Sequence, residues 1–260
     1  MKPHIIVTND DGIDSPGLLA LKQALTTVGH VSVIAPDHNW SAAGHSKTMH
    51  KPLRINKVHL ADGDHAYSTD GAPSDCVAIA ILGFLQQKVD LVVSGINKGS
   101  NMGDDITYSG TVAAAMEGIT WGVPALAVSL DGYVPEEPEL NNFALAGQAA
   151  ARIAARMLRD GWPSDTLLNL NVPNTEETEV KGLEVTRLGK RGYRDELIVR
   201  TDPFGRHYYW IGGGKPTMVN ELGTDIRALA DGKISVTPIH LDLTNHMLLS
   251  NLKDWQLEWK

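Results

Sequence analysis

The chain has 260 residues, 42% of them hydrophobic and only 6% aromatic, and a formal net charge of −8. That length and apolar share suit one large α/β domain with a core mainly of Ala, Val, Leu and Ile. So acidic a surface repels nucleic-acid backbones and anionic membranes, which excludes both as expected partners and means that a phosphate ligand needs a local reversal of the field, most simply by a bound cation.

The lone Cys76 excludes an intramolecular disulfide, and its setting in Asp75-Cys76-Val77-Ala78-Ile79-Ala80 reads as a small apolar filler on a buried helix turn. The start, Met1-Lys2-Pro3-His4-Ile5, carries no signal-peptide pattern, and no apolar run approaches the ~20 residues that span a bilayer, so the chain reads as cytoplasmic.

Ile5-Ile6-Val7-Thr8 is a short apolar run of buried-strand type, ended by the turn formers Asn9-Asp10-Asp11-Gly12. Ser15-Pro16 then reads as an N-cap with Pro at the first helical position, and Leu18, Leu21 and Leu25 follow at helical spacing. Val31–Ala35 is a second strand, followed by a polar loop over 37–50 rich in His and Ser. A helix is predicted from Pro73 to Gln86, a buried strand over 90–95, a Gly-rich loop over 96–109, a helix from Gly110 to about Gly122, and a strand over 125–130. A helix over 141–159 and a strand over 167–172 extend the alternation, which implies a doubly wound, mostly parallel sheet.

Beyond about residue 180 the pattern changes. Tyr193, Tyr208, Tyr209 and Trp210 lie in a polar, Gly-rich stretch that reads as a protruding hairpin. Residues 234–243 alternate like an exposed or edge strand, and a short terminal helix bears Trp255 and Trp259. The expected organisation is a single α/β domain over 1–260, with a core about 1–180, the hairpin about 190–215 and a tail about 234–260. Asp242 and His246 are four apart and would pair across one turn if helical, at a worth of tenths of a kcal/mol if exposed.

Ligands of open α/β sheets bind beyond the carboxyl ends of the strands. Those ends carry Asn9, Asp10 and Asp11; the loop with His38, Asn39, Ser41, His45 and Ser46; and Asn97, Lys98, Asn101, Asp104 and Asp105. Paired carboxylates beside Asn and Ser oxygens are hard ligands that suit Mg²⁺, Mn²⁺ or Ca²⁺. Ser109-Gly110-Thr111 opens the next helix, where N–H groups and the dipole favour an anion. Other signatures fail. There is no H-E-x-x-H, no G-x-S-x-G and no G-x-G-x-x-G after the first strand. In Gly212-Gly213-Gly214-Lys215-Pro216-Thr217, Pro216 takes the Ser/Thr position of a P-loop and the first Gly is missing.

Four strings together resemble the SurE family. They are Val7-Thr8-Asn9-Asp10-Asp11-Gly12 with Ser15-Pro16-Gly17; Ala35-Pro36-Asp37 with Ser41-Ala42-Ala43-Gly44-His45-Ser46; Ser68–Val77; and Ser94–Gly103 running on to Ser109–Gly118. They span residues 5–130 in order, and the later half resembles the family in outline only. The resemblance implies a Rossmann-like core, one divalent metal cation per subunit (Mg²⁺, Mn²⁺ or similar), and hydrolysis of nucleoside 5′-monophosphates, with some breadth toward 3′-monophosphates and other phosphate compounds. It implies metal ligands at Asp10, Asp11, Ser41 and Asn97, and homodimers or homotetramers that use the hairpin and exchange the C-terminal tail. Lys98 is a departure, since the family often carries Arg there; the charge stays but the planar fork is lost.

The expected mechanism is attack by a metal-activated water. Asp10 or Asp11 takes the proton, while Asn97, Ser109, Gly110 and Thr111 hold the phosphate. His45 is either a leaving-group acid or a loop His bonded to its own backbone, the second being preferred. An Asp nucleophile is disfavoured, because the usual two Asp of that chemistry are separated by one position and these are adjacent. The alternative from another class is a nucleotide- or metal-binding regulatory protein without turnover.

Overall fold

The structure, a computed structural model, describes residues 2–192, 195–213, 217–255, 257 and 259. The chain opens with β1 (His4–Thr8), α1 (Pro16–Leu25) and β2 (His30–Pro36). It continues through β3 (Ile55–His59), β4 (His65–Thr69), α2 (Pro73–Ile79), β5 (Leu91–Lys98), α3 (Gly110–Thr120) and β6 (Ala125–Asp131). Then come α4 (Phe143–Asp160), β7 (Thr166–Pro173), β8 (Leu183–Val185), β9 (Arg191–Gly192), β10 (Asp195–Thr201), β11 (His207–Gly213) and β12 (Thr217–Met218). The last elements are α5 (Asp225–Ala230), β13 (Ile234–His240) and α6 (Leu248–Lys253).

Among the described residues, nine strands form the central sheet in the order β3-β4-β2-β1-β5-β6-β7-β13-β8. The six from β4 to β7 run parallel; β3 is antiparallel to β4, and β13 to β7. The expected doubly wound, mostly parallel α/β architecture is therefore the observed one. Its cause is visible strand by strand. β1, β5 and β6 are nearly unbroken apolar runs buried along their length, as strands covered on both faces must be. Leu18, Leu21 and Leu25 of α1 and the Ala-rich face of α4 cover one side, and Val112, Ala114, Ala115 and Ile119 of α3 with Cys76 and Val77 of α2 cover the other. Each fully buried Leu or Ile contributes about 1.5–3 kcal/mol. In α4, Ala146, Ala150, Ala154 and Met157 face inward while Arg152, Arg156 and Arg159 face solvent. Gly147 lets α4 close on α1, since a Cβ there would stand 3.1 Å from that of Ala24.

Several expectations are corrected. The helix from Pro73 does not reach Gln86: α2 ends at Ile79, a wider turn carries Ala80–Phe84, and Gly83 at φ 113° breaks the geometry. Ser15 occupies the N-cap position of α1, but its side chain makes no capping bond and its hydroxyl is buried without a partner among the described residues. The strand expected to be exposed or at an edge over 234–243 ends at His240 and lies inside the sheet between β7 and β8. Its polar side chains are satisfied there, because the Thr186 hydroxyl bonds both Ser235 (2.8 Å) and Thr237 (2.7 Å). The antiparallel β3–β4 pair is an addition to the expected elements.

β10 and β11 form the expected separate hairpin, with Leu197, Tyr209, Trp210 and Ile211 exposed; Tyr193, Arg194 and residues 214–215 of the expected hairpin lie outside the described residues. Trp255 and Trp259 follow α6 rather than riding on it, and both are exposed. Asp242 and His246 do pair, but in the turn before α6 and in solvent. No helix of the described residues is long and apolar enough to cross a membrane.

Cys76 is fully buried, and burial pushes its thiol well above the ordinary range. It should be silent to a thiol-titrating reagent in the native protein and react fully in denaturant. Rapid labelling of the folded chain would contradict that packing.

Candidate active site

β1 lies between β2 and β5, so the winding direction of the sheet reverses at the β1/β5 boundary and opens a crevice at their carboxyl ends. Asp10 and Asp11 follow β1 at that point. Asn97 and Lys98, expected on a loop, instead lie on β5 itself, beyond a register shift between Ser94 and Asn97 that lets them pair with Ser129 and Leu130. Such a bulge re-aims side chains at a strand end. Gly95 permits it, at φ 139° and against the Val128 carbonyl, which a Cβ would approach to 2.3 Å.

Asp10 is 4% exposed, and its Oδ1 accepts the Thr111 hydroxyl at 2.6 Å. Gly110 lies so close that a Cβ there would fall 2.8 Å from Asp10 Oδ2. The start of α3, expected to hold a phosphate, thus embraces a carboxylate of its own chain. Ser109 caps the helix, accepting from the Val112 N–H at 3.1 Å. The Thr111 hydroxyl, expected at the phosphate, donates to Asp10. Burial pushes the Asp10 carboxyl up, against the pull of Thr111 and of the Gly110 and Thr111 backbone.

Asp11 is less enclosed. Its Oδ2 accepts the Lys98 N–H at 3.3 Å, and Lys98 Nζ stands 4.0 Å from Oδ1. Burial first, and the Asp10 charge second, push its carboxyl up to about 6 despite Lys98. Asp11, Asp37, His38 and Lys98 line a cavity of about 210 Å³. A larger cavity of about 750 Å³ lies at the other end of the sheet, between Lys2, Lys88, Trp121 and Trp162, far from the paired carboxylates. Size alone would therefore select the wrong end.

The 37–50 loop joins this crevice through the Trp40 N–H, which donates to the Asp10 carbonyl at 2.8 Å. Ser41 is exposed, and its hydroxyl and N–H both donate to Asn39 Oδ1 at 2.6 Å. With its proton so directed, the Ser41 oxygen keeps its lone pairs for another partner. Asn97 likewise spends a side-chain N–H on the Gly99 carbonyl at 2.8 Å, which leaves Oδ1 available as an acceptor. His45 departs from expectation: it bonds neither its own backbone nor the crevice, but Glu117 Oε2 at 2.9 Å.

Two further polar residues of the 96–109 stretch hold it to the fold, while Asp104 is exposed. Asn101 is buried, taking the Asn171 oxygen at its N–H (2.9 Å) and donating to Ser129 (2.8 Å), and Asp105 pairs with Arg191. The sequence reading missed the roles of Thr111 as anchor of Asp10, Asn39 as director of Ser41, and Lys98 as the cation beside Asp11. Lys98, next to Asn97, and Asn39, two residues before Ser41, had a local signal; Thr111 had none.

The donor set fits a hard divalent cation. Two neighbouring carboxylates are held where burial and mutual repulsion disfavour their charges, and the adjoining free donors are amide and hydroxyl oxygens. Thr8 Oγ1, Asn9 Oδ1 and Ser94 Oγ, at the ends of β1 and β5, are buried without a partner among the described residues. No group of three or more His, Cys, Asp or Glu placed to hold a metal ion occurs among the described residues, so the remaining donors would have to be the Asn and Ser oxygens.

The chain's similarities bear on this crevice. A family model described as "Survival protein SurE" matches residues 5–195. The "5′-nucleotidase SurE" of Chloroflexus aggregans is 52% identical over 98% of this chain and all of its own length. The protein of the same name from Herpetosiphon aurantiacus is 53% identical over 93% of this chain and 94% of its own. The crystal structure of the SurE protein from Aquifex aeolicus superposes with a TM-score of 0.84 at 42% identity, covering 98% of this chain and all of that one.

Proposed function

This chain belongs to the SurE family, and from that premise we propose that Asp10, Asp11, Ser41 and Asn97 hold one divalent cation, on which its 5′-nucleotidase activity depends. The activity is phosphoric monoester hydrolysis, the release of phosphate from nucleoside monophosphates. The observation that carries the site is the buried Asp10–Asp11 pair at the β1/β5 switch point, two charges with too little counter-charge around them.

When bound, the cation supplies neutralisation of phosphoryl oxygens and a water made acidic enough to attack at neutral pH. The chain's own residues divide the rest. Asp10 is the fixed anchor, since Thr111 and the start of α3 hold it. Asp11 is the proton acceptor, because it borders the cavity and is the less enclosed of the two carboxylates. Lys98 Nζ offsets charge on the phosphate, and Asn97 orients it from β5. Ser109 and Gly110 border the same crevice from α3, where their part is to shape the phosphate seat around Asp10.

A single buried cysteine supports a reducing, cytoplasmic setting. Exposed Leu197, Trp210 and Ile211 on the hairpin and Leu243, Met247 and Trp259 in the tail support a homo-oligomer, dimer or tetramer, that covers them.

Phosphate release from a panel of nucleoside 5′- and 3′-monophosphates is expected to stop in excess chelator and return with Mn²⁺ or Mg²⁺. Turnover that ignores the chelator would remove the cation from the mechanism. A folded protein that binds nucleotide without any turnover would establish the regulatory binding protein instead.

A further inference from the structure

Ser41 is carried by a strap, residues 40–48, that has little of its own to bury. Between Trp40 and Met49 its side chains are Ser, Ala, Ala, Gly, His, Ser, Lys and Thr, and Met49 is 84% exposed. A segment of this composition holds a position only through its polar anchors. At one end the Trp40 N–H reaches the Asp10 carbonyl. At the other the Thr48 N–H reaches Asp75 at 3.1 Å, and midway the Gly44 N–H reaches the Tyr108 carbonyl at 3.0 Å. Between them, Ala42 (φ 60°) and Gly44 (φ 58°) turn the chain through left-handed conformations.

The charged anchor of the strap is Glu117, near the far end of α3. Its side chain is 3% exposed, and three donors occupy it: His45 Nε2 at 2.9 Å, Lys47 Nζ at 2.7 Å and Trp121 Nε1 at 2.6 Å. Lys47 also lies over the Trp121 ring, 5.5 Å from its centroid. A buried carboxylate is a costly way to stabilise a helix, and a well-packed apolar residue of similar volume often does as well. What the charge provides here is direction, because two of its three partners come from the strap and sit four and six residues past Ser41.

We propose that Glu117 is a positioning residue for the cation site: through His45 and Lys47 it fixes the strap so that the Ser41 oxygen faces Asp10 and Asp11. This rests on the reading of Ser41 as a cation ligand. Glu117 touches neither cation nor substrate, and its effect passes through Ser41.

A double-mutant cycle on Mn²⁺ affinity, read from the EPR signal of free Mn²⁺ during titration of the full-length protein, tests it. S41A and E117Q should each weaken Mn²⁺ binding about tenfold, the scale on which residues behind metal ligands act. E117Q should then cost nothing further in the S41A background. An E117Q loss repeated in full on top of S41A would overturn the proposal, as would no loss in E117Q alone. S41A binding Mn²⁺ like the wild type would remove the Ser41 assignment and the proposal with it, whereas loss in S41A without loss in E117Q removes only the proposal. If E117Q does not fold, the pair His45→Gln, Lys47→Met applies the same cycle from the strap side.

Discussion

Asp10→Asn should fold, stay at least as stable as the wild type in chelator, and lose about 10³-fold or more in kcat, some 4 kcal/mol of transition-state stabilisation. The stability half follows from the sign of the shifts. Burial raises Asp10, and burial with the Asp10 charge raises Asp11 to about 6. A carboxyl raised on folding keeps its proton more tightly in the native state, so metal-free stability falls as pH climbs from the ordinary carboxylate range through that value. Removing the Asp10 charge removes its own share of that slope and relieves Asp11. The activity half follows because the cation loses an anionic ligand. In wild type, saturating Mn²⁺ should raise the melting temperature, since ~100-fold excess over Kd contributes ~2.7 kcal/mol, and the variant should show almost none of that rise. Thermal melts with and without Mn²⁺, beside phosphate release, check both halves. A variant retaining wild-type kcat would exclude Asp10 from the site.

The fold was legible where burial writes a continuous signal. Ile5–Thr8, Leu91–Ser94 and Ala125–Leu130 are apolar runs because helices cover both faces of the sheet, and their alternation with helical periods is enough to infer parallel pairing. β13 was misread because Ser235 and Thr237 look like a solvent face. Their hydroxyls are buried against Thr186, 49 and 51 residues earlier, and no local pattern encodes such a partner. β3 was missed for the opposite reason: in Ile55-Asn56-Lys57-Val58-His59 no residue is buried, so an edge strand leaves little periodicity.

The candidate site divides along the same line. Asp10, Asp11 and Asn97 stand at strand ends, where topology alone draws attention. The contacts that decide their roles are long-range. Thr111 reaches Asp10 across 101 residues, and Glu117 reaches His45 across 72. From sequence, Ser109-Gly110-Thr111 is a helix start suited to any anion; that the nearest anion is Asp10 requires α3 to be docked on the sheet. His45 likewise had two readings, and neither included a carboxylate on α3.

That docking makes Gly110→Ala the second variant of large effect. Gly110 is the first residue of α3 and has an ordinary backbone conformation, so helix propensity alone would favour alanine by a few tenths of a kcal/mol to about 1 kcal/mol. Space opposes it. The new Cβ would meet Asp10 Cβ at 2.7 Å and Oδ2 at 2.8 Å, below any ordinary contact. Asp10 is pinned on its other oxygen by Thr111, so relief requires its carboxylate to turn out of place or α3 to back away from β1. Either movement shifts a cation ligand by a sizeable part of an ångström, a scale at which misplacement costs about 10²-fold in rate. The variant should therefore lose about two decades of kcat/KM and bind Mn²⁺ more weakly, while its unfolding midpoint in chelator falls only by the ~1–3 kcal/mol that overpacking costs, less the propensity gain. Loss of activity together with collapse of that midpoint would mean that the contact serves packing alone. Unchanged kinetics would mean that Asp10 does not need the place in which α3 holds it.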